Sequence, residues 1–107
     1  MSMNVKETDA TEFEALVASG KTVVCDFWAA WCGPCRMLAP VLDKVAAQFK
    51  ERAEFVKVNI DENGEIAEKY SVMSIPYVAV FQNGVLKTQN IGYCPEDVLK
   101  EFLEKNI

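Results

Sequence analysis

The segment Trp31-Cys32-Gly33-Pro34-Cys35 sets two thiols three residues apart. It follows a short apolar run and precedes a stretch of helical periodicity, so the pair sits where a strand ends and a helix begins. Two thiols at i and i+3 on a helix start can approach closely enough to close a small disulfide ring. A helix N-terminus also presents unpaired N–H groups and a partial positive charge, which together stabilise a thiolate. Cys32, at the very start, gains most from this and is expected to be the exposed nucleophile. Cys35, one turn further in, is expected to be more buried and to stay protonated until it attacks. Gly33 and Pro34 permit the tight turn, and a proline in the first helical turn forfeits no helical hydrogen bond.

The same spacing also occurs as half of a metal site. Zinc and iron–sulfur centres normally need four ligands, usually as two pairs. The chain has four cysteines and no histidine. Its other two cysteines, Cys25 and Cys94, are isolated, and Cys25 falls in a strand expected to be buried. Redox chemistry is therefore the stronger reading, and no metal is expected. The lack of histidine also excludes Cys/His nucleophilic catalysis.

Around this centre the pattern predicts an α/β domain. A short first strand is expected over Met3 to Lys6. Asp9 with Glu12 three residues on reads as a capping box. It opens a helix whose inner face carries Phe13, Leu16 and Val17 and which stops at Gly20. Lys21 to Ala30 contains Val-Val-Cys-Asp-Phe-Trp, apolar on both faces, as in a central strand covered on both sides. After the turn at 31–34, Leu38, Val41, Leu42, Val45 and Phe49 repeat as a buried helical stripe. Pro40 lies within it and is expected to kink the helix rather than end it. Phe55 to Ile60 is the next strand, giving a parallel βαβ unit. Ile66, Ala67 and Tyr70 mark a short helix. Tyr77 to Phe81 and Val85 to Ile91 are strands joined by a hairpin at Asn83-Gly84. Pro95 opens a last helix with Val98, Leu99, Phe102 and Leu103 inward. The sum is a central mixed sheet of about five strands flanked by four helices.

Length and composition set bounds on the class. At 107 residues, half of them apolar, the chain has room for one domain, over 1–107. It can bury roughly 60–70% of its unfolded surface, enough for a core without staples. The net charge is −5 with no basic run, so neither nucleic acid nor an anionic membrane is an expected partner. The longest apolar run, Val23 to Trp31, is broken by Asp26 and too short to cross a bilayer. The first residues lack a basic n-region and an apolar h-region, so no secretory signal is expected and the chain reads as cytoplasmic. In that compartment paired cysteines point to metal binding or redox catalysis rather than to structural disulfides.

The stretch Val-Cys-Asp-Phe-Trp-Ala-Ala-Trp-Cys-Gly-Pro-Cys-Arg-Met-Leu-Ala-Pro resembles the active-site segment of thioredoxins. The similarity extends through Lys57, Ser74-Ile75-Pro76, Phe81-Gln82-Asn83-Gly84 and Gly92, and so covers essentially the whole chain. It implies the thioredoxin fold and a protein-disulfide reductase that works as a monomer with no bound cofactor. Its partners would be disulfide-containing target proteins and a thioredoxin reductase, a flavoprotein usually fed by NADPH. A lowered pKa for the first cysteine of the motif is a general property of this family and enters with the resemblance.

Two charged residues stand out beside the thiols. Asp26 alternates with Val24 and Trp28 in the buried strand, where an unpaired carboxylate is costly unless its pKa rises. Lys57 lies between Phe55 and Asn59 in the neighbouring strand. From spacing alone, a solvated lysine at a sheet edge is as good a reading as a functional one. The resemblance favours an Asp26–Lys57 pair beneath the thiols, with Asp26 as general base for Cys35 through a water. Pro76 at a strand's first residue is unremarkable by itself. In thioredoxins the matching bond is cis, faces the disulfide and exposes the backbone of the preceding residue, here Ile75, to an extended substrate segment. Trp31, Ile75 and Gly92 would then form a flat apolar docking rim beside Gly33 and Pro34. Trp28 is expected to be a packing residue.

The sequence departs from the family pattern in places. Tyr77 follows the proline where thioredoxins often carry Thr. Cys94 precedes Pro95 at the expected N-cap of the last helix. Two readings are open for it: a weak substitute for a serine cap, or a second oxidisable thiol activated by the helix terminus. Cys25 is expected to pack as a small hydrophobe. A disulfide oxidase or isomerase is disfavoured by the expected compartment and by the Gly33-Pro34 pair, and a glutaredoxin by the extent of the resemblance. A thiol-independent binding module is the alternative from a different class.

Overall fold

The computed structural model describes residues 4–107. The elements run β1 (Lys6–Glu7), α1 (Ala10–Ala18), β2 (Val23–Trp28), α2 (Gly33–Phe49), β3 (Glu54–Asn59), α3 (Gly64–Lys69), β4 (Tyr77–Gln82), β5 (Val85–Ile91) and α4 (Glu96–Asn106). The expected first strand is displaced toward the C-terminus, and Met3 lies outside the described residues.

The capping box forms as the spacing predicts. The Glu12 N–H donates to Asp9 Oδ1 at 2.8 Å, and the Asp9 N–H donates to Glu12 Oε1 at 3.2 Å. Such a cap is worth about 1 kcal/mol. Between β4 and β5, Asn83 (φ 56°) and Gly84 (φ 84°) are both left-handed, which a tight two-residue hairpin turn requires and which Asn-Gly supplies at little cost.

The sheet order is β1-β3-β2-β4-β5. β1 and β2 run parallel to β3, β4 runs antiparallel to β2, and β5 antiparallel to β4. Alternation along β2 divides its side chains between two cores. Val24 joins Leu38, Leu42 and Leu99 on the α2/α4 face, while Cys25 and Phe27 join Phe13 and Ile66 on the α1/α3 face. Phe13 anchors the second core, meeting Phe27 and Phe81 edge-on with centroids 5.7 and 5.3 Å apart.

Three local expectations need correction. The tight turn before α2 lies at Ala29–Cys32 rather than at 31–34, closed by the Cys32 N–H donating to the Ala29 carbonyl at 3.1 Å; Cys32 is itself the N-cap, so Gly33 and Pro34 already lie in the first helical turn. The last helix starts at Glu96 with Pro95 as its N-cap. Val98 does not face inward but is exposed; Leu99 and Leu103 carry the inner face, with Phe102 partly buried beside them. At Pro40 helix α2 continues unbroken. Pro40 and Arg36 are both exposed, so the carbonyl that loses its partner to the missing N–H is open to water.

Candidate active site

β2, the central strand, ends at Trp28 and α2 begins at Gly33, and the four residues between them carry the chain from the strand's C-terminal end into the helix. Cys32 and Cys35 are joined as a disulfide with Cα atoms 5.2 Å apart. The Cys32 backbone is extended (φ −86°, ψ 108°), as an N-cap must be, and its Sγ accepts the Cys35 N–H at 3.2 Å. One of the helix's orphan donors is thus aimed at the first sulfur, where it favours negative charge.

The expectation of an exposed Cys32 is not met in this disulfide state. Cys32 is 4% exposed and Cys35 2%. Both pack with Ala29 in a small cluster walled by Trp28, Ile60 and Ile75. The Cys32 sulfur lies 3.8 Å from the Ile75 carbonyl oxygen. The Ile75–Pro76 peptide is cis, and Pro76 is buried while Ile75 is half-buried. Among the described residues the Ile75 N–H has no intramolecular acceptor. Gly92, at φ 91°, closes this side of the site by donating its N–H to the Pro76 carbonyl at 2.8 Å.

The surface around the disulfide is apolar. Trp31 is 67% exposed and is tethered by its Nε1, which donates to Asp61 Oδ2 at 2.9 Å. Gly33 is half-buried and Pro34 exposed. Met37, Met73, Ile91 and Tyr93 are also exposed and flank the expected rim residues in the chain. The sequence reading missed them because none belongs to a motif of its own. Asp61 was missed too, because its contact with Trp31 spans thirty residues.

Beneath the disulfide is a cavity of about 70 Å³ lined by Asp26, Trp28, Cys35, Arg36, Ala39 and Lys57. It is large enough for a water molecule. Asp26 is 3% exposed and its Oδ1 has no hydrogen-bond partner. Burial pushes its pKa up, the Lys57 charge pulls it down and the Glu7 charge pushes it up, leaving it at about 7. Asp26 and Lys57 stand directly opposite each other across β2 and β3. Among the described residues, however, no ion pair joins them: the Lys57 ammonium sits over the Trp28 ring, 5.1 Å from its centroid. The two are neighbours without a direct salt bridge. Trp28 is half-buried and, besides packing, carries this cation on its face.

The remaining cysteines lie away from this chemistry. Cys25 is fully buried in the α1/α3 core, and burial, then Asp26 and Glu7, hold its thiol well above the ordinary value. Cys94 does not take the cap role expected of it. Pro95 is the N-cap and makes no side-chain cap, so the Cys94 thiol does not cap α4 and stands one residue before it. It is 7% exposed and accepts a hydrogen bond from Asn90 Nδ2 at 3.4 Å. Burial raises its pKa, against the opposing effect of that bond, with Asp97 also raising it. Tyr77 is buried and packs edge-on against Phe27, which places it in the core rather than in the groove. No group of three or more ligand side chains able to hold a metal exists among the described residues.

A larger open cleft of about 410 Å³ lies between Asn4–Lys6 and Lys50–Phe55. It is at the start of β3, whereas the thiols stand where β2 ends, so it belongs to the opposite end of the sheet. No described helix is long and apolar enough to cross a membrane.

Comparison with known proteins agrees with this geometry. The family model described as Thioredoxin matches residues 4–105. Thioredoxins of Staphylococcus aureus strains Mu50, MW2 and N315 are each 47% identical to the chain over 103 residues, covering 96% of this chain and 97% of theirs.

Proposed function

The chain belongs to the thioredoxin family, and on that premise we propose that Cys32 is the attacking thiol and Cys35 the resolving thiol of its protein-disulfide reductase activity. The observation that carries this assignment is the Cys35 N–H aimed at the Cys32 sulfur at the start of α2.

In the reduced chain the Cys32 thiolate attacks one sulfur of a target disulfide. A new S–S bond forms to Cys32, and the other target sulfur leaves as a thiolate. Cys35 then gives its proton to Asp26 through a water in the cavity, and its thiolate attacks Cys32. The Cys32–Cys35 disulfide forms, and the second target sulfur leaves with the electron pair. Two electrons pass from the chain to the target. A carboxyl with a pKa of about 7 can both accept and release a proton near neutral pH. Lys57 supplies the positive charge that keeps this carboxyl from rising further.

Targets dock on the rim formed by Trp31, Gly33, Pro34, Ile75, Pro76 and Gly92. An extended segment pairs with the free Ile75 N–H by strand addition, and the apolar surface around Trp31 covers the reacting sulfurs. A thioredoxin reductase restores the dithiol. The chain works as a single domain over 1–107, as a monomer in the cytoplasm, away from membranes and nucleic acid. Two unpaired cysteines, Cys25 and Cys94, suit a reducing compartment.

Reduction of a model protein disulfide under dithiothreitol tests the assignment. The native chain is expected to accelerate it and Cys32→Ser to match the uncatalysed control. If neither accelerates it, the chain is a binding module; equal acceleration by both would remove Cys32 from the chemistry.

A further inference from the structure

Lys57 faces a second carboxylate besides Asp26. β1 pairs Glu7 with Lys57, and β2 pairs Asp26 with Lys57 from the other side. Residues directly opposite in neighbouring strands point to one face and lie within about 5 Å of each other at Cβ. Glu7, Lys57 and Asp26 therefore form a row of alternating charge across three strands, on the face covered by α2. Thr8 ties β1 to this row: its N–H and its hydroxyl both donate to the Lys57 carbonyl, at 2.9 and 3.3 Å.

We propose that Glu7 is a positioning residue which, by competing with Asp26 for the Lys57 charge, sets the pH at which Asp26 releases its proton. Its consequence for the reaction rests on Asp26 being the proton acceptor for Cys35; the coupling itself does not.

The physical argument is one of shared charge. A lone ammonium opposite Asp26 favours the carboxylate. A second carboxylate on the far side of that ammonium cancels part of its field and repels the Asp26 charge directly. Both effects favour the protonated form of Asp26, the direction in which Glu7 acts on it. Lys57 acts on Glu7 in turn, lowering a carboxyl that burial has raised.

Among the described residues no other anion acts on Asp26. From β4, Asp26 faces Val78, which is uncharged. From α2 the cavity wall offers Cys35, Arg36 and Ala39, and the Arg36 guanidinium is turned to the Ala30 carbonyl at 2.8 Å. Along β2 itself the neighbours are Cys25, whose thiol stays protonated, and Trp28. Glu62 acts on Glu7. Glu7 keeps contact with solvent on β1 although its carboxyl is partly covered, so its influence is weakened by salt while the buried Asp26 keeps its own burial shift.

The test is titration of the Asp26 side-chain carboxyl by NMR in the full-length oxidised protein. Glu7→Gln is expected to move the midpoint to lower pH, more at low salt than at high salt, and Glu7→Asp to restore it toward the native value. Glu54→Gln removes the same charge from the opposite face of β3 and is expected to leave the midpoint unmoved. A native midpoint in Glu7→Gln would overturn the proposal, as would an equal shift in Glu54→Gln. A loss of fold in Glu7→Gln would show in its amide spectrum, and Glu7→Ser, which removes the same charge, then decides by the same midpoint and salt dependence. The proton-acceptor reading fails separately, if Asp26→Asn leaves the pH profile of disulfide reduction unchanged while the Glu7→Gln titration shift stands.

Discussion

The backbone N–H of Cys35 points at the sulfur of Cys32 from 3.2 Å, a donor placed to favour negative charge on that sulfur once the disulfide is reduced. On the proposed roles the two thiols are unequal although both are buried. Cys32→Ser is expected to abolish turnover. Cys35→Ser is expected to attack once and stop, holding the target as a mixed disulfide visible on a non-reducing gel and by intact mass. Capture by Cys32→Ser and none by Cys35→Ser would reverse the roles.

Asp26 makes stability depend on pH in a defined direction. Its folded pKa of about 7 lies above the ordinary 3.8, so the native state holds the proton more tightly than the unfolded chain. Stability is then fully present below about pH 4, falls as pH rises between the two values, and levels off above about 7. Three units correspond to a loss on the order of 4 kcal/mol. Asp26→Asn is expected to raise Tm above pH 7 and to converge with the native protein at acid pH. A native chain whose Tm rises with pH across this window would contradict the burial argument.

Gly92 combines a left-handed backbone with a place on the proposed docking rim. A Cβ there meets nothing within 4 Å, so Gly92→Ala carries backbone strain alone, about 1–2 kcal/mol. The expected outcome is a modest fall in Tm. KM is expected to rise for a protein disulfide but not for a small aromatic disulfide that needs no docking. Equal effects on both substrates would place the damage in the thiols rather than in the rim.

Cys94 is expected to be a slow thiol. Its burial raises its pKa, so in the oxidised protein iodoacetamide should label it more slowly than a free model thiol. Cys25 should stay unlabelled until unfolding. Rapid labelling of Cys94 would restore its reading as an activated thiol.

Much of the fold was legible because its signals are local. The Asp9/Glu12 box, the Asn83-Gly84 turn and the Leu38–Phe49 stripe each declare an element within a few residues, and each formed. The errors fell at element ends. The turn before α2 fell at Ala29–Cys32 instead of 31–34, and Pro95 displaced Cys94 as the cap of α4. A cap depends on one ψ angle, which neighbouring sequence biases weakly. Val98 was misjudged for a related reason: a narrow helical face against a sheet admits Leu99 and Leu103 and leaves the next apolar position outside.

The sequence by itself determined the chemistry: two thiols at a strand-to-helix junction, and a carboxylate placed in a strand too apolar to solvate it. Spacing and burial are properties of neighbouring residues, and these were readable without coordinates. Only the tertiary structure decided who stands across from whom. That Glu7, Lys57 and Asp26 share one row follows from the parallel register of β1, β3 and β2, and that Asp61 holds Trp31 follows from a contact thirty residues away. Register is set by how the sheet satisfies its backbone hydrogen bonds while burying two cores at once, a condition on the whole chain that no single segment contains.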